Sequence, residues 1–157
     1  MSVSTESLEL VVNEKKKEKN DYLSDLINEE SEIVSEVDHR NIITIYNNCS
    51  NTVKKAFDDD ITNDISSWAF SDWIKIILPI VKSIEKYNTS TRKGKYKKTV
   101  AILVTKCIIA YDIDTEESNK ILMLNAVDDY LKPSIDIIVY MINNMDIQKS
   151  GCLSCFK

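Results

Sequence analysis

Five cations fall within seven residues at Arg92-Lys93-Gly94-Lys95-Tyr96-Lys97-Lys98. Lysines and arginine at this density pair with the phosphates of lipid headgroups or of nucleic acid. The surrounding charge makes the island conspicuous. Residues 1–40 hold 11 acidic and 5 basic side chains, residues 92–111 none and 6, and residues 112–157 eight and four. With a net charge of −5 over the chain, nucleic acid is the weaker of these partners, because a phosphate backbone meets repulsion elsewhere on the surface. Membrane lipid, a protein partner or the chain's own acidic segments remain.

A second chemical signal is the pair in Cys152-Leu153-Ser154-Cys155. It is half of a zinc site, but zinc takes four ligands and the chain has no second such pair. A redox dithiol draws its low thiol pKa from a helix start that this segment does not supply. S-acylation of Cys152 or Cys155 is the more natural use of thiols beside Gly151 and Phe156.

Catalytic patterns are thin. The single histidine, His39, stands beside Asp38 in a polar stretch and reads as a surface or capping residue. No Gly-x-Ser-x-Gly elbow occurs. Asp58-Asp59-Asp60 lacks the spaced ligands and central glycine of a calcium loop, and Asp112-Ile113-Asp114 reads as a helix end followed by a cap. Gly94-Lys95 lacks the first glycine of a phosphate-binding loop, and Tyr96 stands where that loop needs Ser or Thr. Neither a cofactor, a metal nor an enzymatic activity is expected.

The elements that position these residues follow from composition and periodicity. Two Gly and two Pro are too few for an all-β chain of tight turns. Leu23, Leu26, Ile27, Ile33, Val34 and Val37 repeat at helical spacing after Tyr22. Residues 41–46 have the β-branched character of a strand. Yet Ile42, Ile45, Tyr46, Cys49, Val53, Ala56 and Phe57 keep one helical face, and that length favours the helix. Thr62 or Asn63 is expected to cap a short helix through Trp68, and Ser71 the helix carrying Trp73, Ile76, Ile77, Ile80, Val81 and Ile84, with a kink at Pro79. Tyr96, Val100, Leu103, Val104, Cys107, Ile108 and Tyr111 form the next stripe. Asp114 or Thr115 caps a helix through Ile121, Leu124, Val127 and Leu131. Pro133 suits the first turn of the last helix, with Ile135, Ile138, Val139, Ile142 and Met145. The expected fold is an all-α, compact bundle of five or six helices. Residues 1–20 are expected as a flexible arm in which Leu8 to Val12 could add a strand, 21–148 as the helical domain and 149–157 as a cysteine-containing tail. The apolar stretch from Trp68 to Ile84 is interrupted by Asp72, Lys75 and Lys82, so no transmembrane span is expected.

The segments Gly94-Lys95-Tyr96-Lys97-Lys98-Thr99-Val100 and Leu131-Lys132-Pro133-Ser134-Ile135-Asp136-Ile137-Ile138 resemble those of small helical proteins of large DNA viruses and of some phage holin-like proteins. These carry a Gly-Lys-x-Lys-Lys turn between two apolar helices. The resemblance covers roughly residues 70–157 and implies a non-enzymatic viral component. A bias of 22 Ile and 13 Asn against 5 Ala is that of an AT-rich genome. Two functional expectations follow. One is an interaction or structural module binding a protein partner or itself. The alternative is a peripheral membrane protein held by Arg92, Lys93, Lys95, Lys97 and Lys98 together with an acylated tail. The expected location is intracellular, cytoplasmic or virion-associated, with peripheral membrane attachment under the alternative.

Overall fold

The β-branched run at residues 41–46 is helical. In a computed structural model that describes residues 5–29, 38–62, 64–87 and 94–150, it opens α2, His39–Asp59. Its buried residues are Ile42, Ile45, Tyr46, Cys49, Val53 and Phe57. This single stripe can be buried against neighbouring helices, which a six-residue strand without a pairing edge could not match. The most extensive of these contacts is with α3, Phe70–Tyr87. The Ser83 hydroxyl of α3 donates to the Ile45 carbonyl at 3.2 Å, so the buried hydroxyl is satisfied inside the interface. α3 retains Pro79 in its interior.

The centre of the bundle is α4, Lys95–Tyr111. Val100, Val104, Cys107, Ile108 and Ile109 are fully buried, and Ala101 and Leu103 nearly so. A helix apolar almost all round must be enclosed, and α1, α2, α3, α5 and α6 all pack on α4. Gly94 precedes it with φ +71°, a left-handed conformation that costs a glycine little.

α1 spans Thr5–Glu29 and buries Leu23, Leu26 and Ile27. The arm expected over residues 1–20 is therefore helical from Thr5, and a helix takes the place of the strand considered for Leu8 to Val12. Lysine and glutamate are good helix formers, which extends the helix through residues 14–18. The side chains of residues 13–18 are exposed. The expected continuation through Ile33, Val34 and Val37 lies outside the described residues.

Several caps differ from expectation. Asp72, rather than Ser71, closes the start of α3 by accepting from the Ala69 amide at 2.8 Å. Asp64, rather than Thr62, caps the short 3-10 turn Ile65–Ser67 by accepting from Ser66; Asn63 lies outside the described residues. Glu116, rather than Asp114 or Thr115, precedes α5, Glu117–Ala126. The Asp64 and Asp72 carboxylates accept from backbone amides at these helix starts, whereas Glu116 precedes α5 with an extended ψ and no side-chain cap hydrogen bond.

α5 does not stop before Pro133. It passes through a π turn, Val127–Leu131, into α6, Lys132–Ser150. The Lys132 amide reaches back five residues to the Val127 carbonyl. One extra residue in that turn rotates the faces before and after it by about 100°. Leu131, Ile135, Ile138 and Ile142 are buried after the turn, while Met123, Ala126 and Val127 are buried before or within it. Ile121, placed in the core by uninterrupted helical spacing, is instead 52% exposed. Leu124 is half-buried, and the Met145 side chain lies outside the described residues. The result is an all-α bundle, without strands among the described residues.

Candidate functional site

Of the basic island, Lys95, Lys97 and Lys98 stand on the first turn of α4. Lys97 of α4 pairs with Glu85 of α3 at 2.6 Å, and Lys98 pairs with Asp136 of α6. Lysines at the start of α4 oppose the helix dipole, and these carboxylates offset that cost locally. Lys95 is exposed. Arg92 and Lys93 lie outside the described residues, as do Cys152 and Cys155. His39 sits between α1 and α2, with Nε2 at 3.2 Å from Ser24 Oγ. Asp58, Asp59 and Asp60 are exposed at the end of α2. Among the described residues no group of three metal-ligating side chains gathers, and no helix is long and apolar enough to cross a membrane.

A polar cluster forms where α4 ends. Asp112 accepts a hydrogen bond from the Tyr46 hydroxyl and an ion pair from Lys19 Nζ at 3.1 Å. Lys19 Nζ also lies 4.9 Å from the centroid of the Tyr46 ring. Burial, then the facing carboxylate, holds the Tyr46 hydroxyl far above the usual phenol range. Burial likewise pushes the thiols of Cys49 and Cys107 up to about 12. Such thiols are poor nucleophiles. The cluster ties three helices together and leaves its atoms occupied with one another.

A concavity lies elsewhere. The segment after α2 crosses the bundle as a strap held by its own hydrogen bonds. Trp68 Nε1–H donates to the Thr62 carbonyl at 2.8 Å, and the Thr62 and Ser67 hydroxyls are 2.7 Å apart. Two hydrogen bonds from Ser66 hold the Asp64 carboxyl below its usual range. So braced, the Trp68 ring lies 5.5 Å from Phe57 and 4.9 Å, edge to face, from Trp73. Such aromatic pairs favour this tilted geometry.

Opposite the strap stands the π turn. Between them is an open-mouthed cavity of about 640 Å³. Trp68, Phe70 and Trp73 line one wall, and Leu122, Ala126, Tyr130 and Ile138 the other. Asn125, Asp129 and Ser134 supply polar groups at its edge. The apolar surface continues outward from the mouth. Among the described residues the exposed large hydrophobics are Phe70, Ile121, Leu122, Tyr130, Ile137, Tyr140 and Met141. All but Phe70 belong to the continuous α5–α6 rod. Tyr130 and Ile137 are seven residues apart, with Tyr140 and Met141 one turn further along the same face.

None of these residues was singled out by motif reasoning. The available signals were two tryptophans five residues apart and a proline shortly after an acidic helical turn. The chain matches no protein-family model, no curated protein and no solved structure, so the reading of its function rests on this geometry.

Proposed function

We propose that the chain is a non-enzymatic interaction module that binds a protein partner along the outer face of α5 and α6. The observation that supports this is the concentration of exposed apolar side chains on one rod. Tyr130, Ile137 and Tyr140 are each more than half exposed, while the core positions of the other helices are filled. Exposed apolar patches of this kind, contiguous with a groove, mark interaction surfaces more often than isolated side chains do. An amphipathic helix laid in the groove is the matching shape.

Charge narrows the partner. Asp129 and Asp136 flank the apolar stripe on one side, and with Asp136 paired to Lys98 the uncompensated charge is that of Asp129. A second copy packed on this face would bring like charge to like at Asp129. A helix with a lysine- or arginine-rich flank would not suffer that repulsion. The membrane alternative draws less support, because Lys97 and Lys98 already share their charge with Glu85 and Asp136. A viral origin is supported by the composition and by the resemblance of residues 70–157 alone.

The test uses two synthetic amphipathic peptides with one apolar face, one flanked by lysines and the other by glutamates. The lysine peptide should perturb amide NMR signals between Ile121 and Met141, and the double variant Ile137→Glu, Tyr140→Glu should abolish the effect. Equal response to both peptides, or signals moving on another face, would refute the proposal. Concentration-dependent dimers dissolved by Ile137→Glu would show that a second copy covers this surface instead.

A further inference from the structure

The cavity beside the π turn has a lining chemistry of its own. We propose that it is a binding site for a small organic cation with an apolar, ring-sized body. The ammonium group would lie against Asp129, and the body between the strap aromatics and the π turn.

Three observations converge on this ligand class. The cavity, about 640 Å³, falls within the range of small-molecule sites, and one side chain from a docked protein would fill a minor part of it. Its lining includes Trp68, Phe70, Trp73 and Tyr130, aromatic residues of the kind that attract cations. The Trp68 indole N–H is already committed to the Thr62 carbonyl, so the ring offers its π surface rather than a donor.

The third observation is electrostatic. Asp129 is the only charged residue among those lining the cavity. Of the acidic residues around it, Asp128 is paired with Lys106 at 2.8 Å and Asp136 with Lys98. Asp129 has no ion-pair partner among the described residues. An anion would be opposed by the charge of Asp129, and a neutral body would gain nothing from it. A cation satisfies both the carboxylate and the rings. The site rests on the cavity and on Asp129, and it shares Asp129, Leu122 and Tyr130 with the proposed partner surface, so its test uses a ligand of its own.

Trp68 and Trp73 are the two tryptophans of the chain, so intrinsic fluorescence reports on this cavity directly. The experiment titrates the full chain with phenethylammonium and with phenethyl alcohol, its neutral counterpart. The ammonium should give a saturable tryptophan response and bind about tenfold more tightly than the alcohol, the size of a modest cation–π and carboxylate contribution. Asp129→Asn, which keeps the shape, should bring the two affinities together, and Asp136→Asn should leave the preference intact. Equal affinities in the parent protein would overturn the proposal. So would a preference that survives Asp129→Asn, or no saturable response to either compound. Binding of a lysine-flanked peptide without binding of phenethylammonium would leave the interaction surface standing and reject the cation site.

Discussion

The Tyr46 hydroxyl of α2 donates to the carboxylate of Asp112, the residue that ends α4, across 66 positions of sequence. A negative charge at a helix C-terminus opposes the dipole. Here the cost is offset by Lys19 from α1 on the same carboxylate, and by Lys120 donating to the Ala110 carbonyl at 3.2 Å. One unfavourable end thus becomes the joint of α1, α2 and α4.

Removing that joint should be felt as stability. Asp112→Ala leaves the hydroxyl of the buried Tyr46 without its acceptor and should cost about 1–3 kcal/mol. Lys19→Met, which removes one arm of a partly buried pair while the Tyr46 hydrogen bond remains on Asp112, should cost less, about 1 kcal/mol. Urea denaturation of both variants checks the order. A Lys19 variant weaker than the Asp112 variant would mean that the ion pair, not the hydrogen bond, carries the joint.

Alkaline pH should unfold this protein earlier than a helical bundle without buried thiols. The thiols of Cys49 and Cys107, ordinarily near 9, stand at about 12 in the folded chain, and Tyr22, ordinarily near 10, also stands at about 12. A raised folded pKa means that the unfolded chain loses its proton first. The stabilisation is then complete below pH 9 and is lost progressively as pH rises toward 12. The urea midpoint should fall across that window, and Cys107→Ala should flatten the slope relative to its own value at pH 7. A midpoint constant from pH 8 to 11 would contradict the buried, neutral thiols.

The π turn can be tested by a pair of truncations. Leu103, 3% exposed in α4, should cost about 2–5 kcal/mol when replaced by Ala. Ile121, 52% exposed, should cost no more than about 0.5 kcal/mol. Uninterrupted helical spacing predicts a large loss at both. A destabilising Ile121→Ala would restore the regular phase and remove the shift attributed to the π turn.

Lysines 97 and 98 offer a check on the membrane alternative. Their partners Glu85 and Asp136 are 60% and 66% exposed, so Lys97→Ala and Lys98→Ala should each change stability by at most about 1 kcal/mol. The unmodified protein should float weakly or not at all with anionic liposomes in 150 mM salt, roughly physiological ionic strength. Tight flotation lost on replacing both lysines would favour the lipid surface over a protein partner.

The helical class and most core positions were legible in the sequence, because they depend on spacing within one element. Ile42 to Phe57, Ile76 to Ile84 and Val100 to Ile108 repeat at the period of the helix, and each stripe is buried. Chain-local information also placed Pro133 in the first turn of a helix. What the sequence could not order was anything set by phase or by distance along the chain. The π turn inserts one residue into a continuous rod, so Met123 turns inward and Ile121 outward without any change in composition. Lys97 and Lys98 looked like a free island because Glu85 and Asp136 lie on other helices. Trp68, Trp73 and Asp129 became one site only when the strap crossed to the π turn. Periodicity reports which face of a helix is apolar, whereas the neighbour each face meets is chosen by packing among all the helices at once.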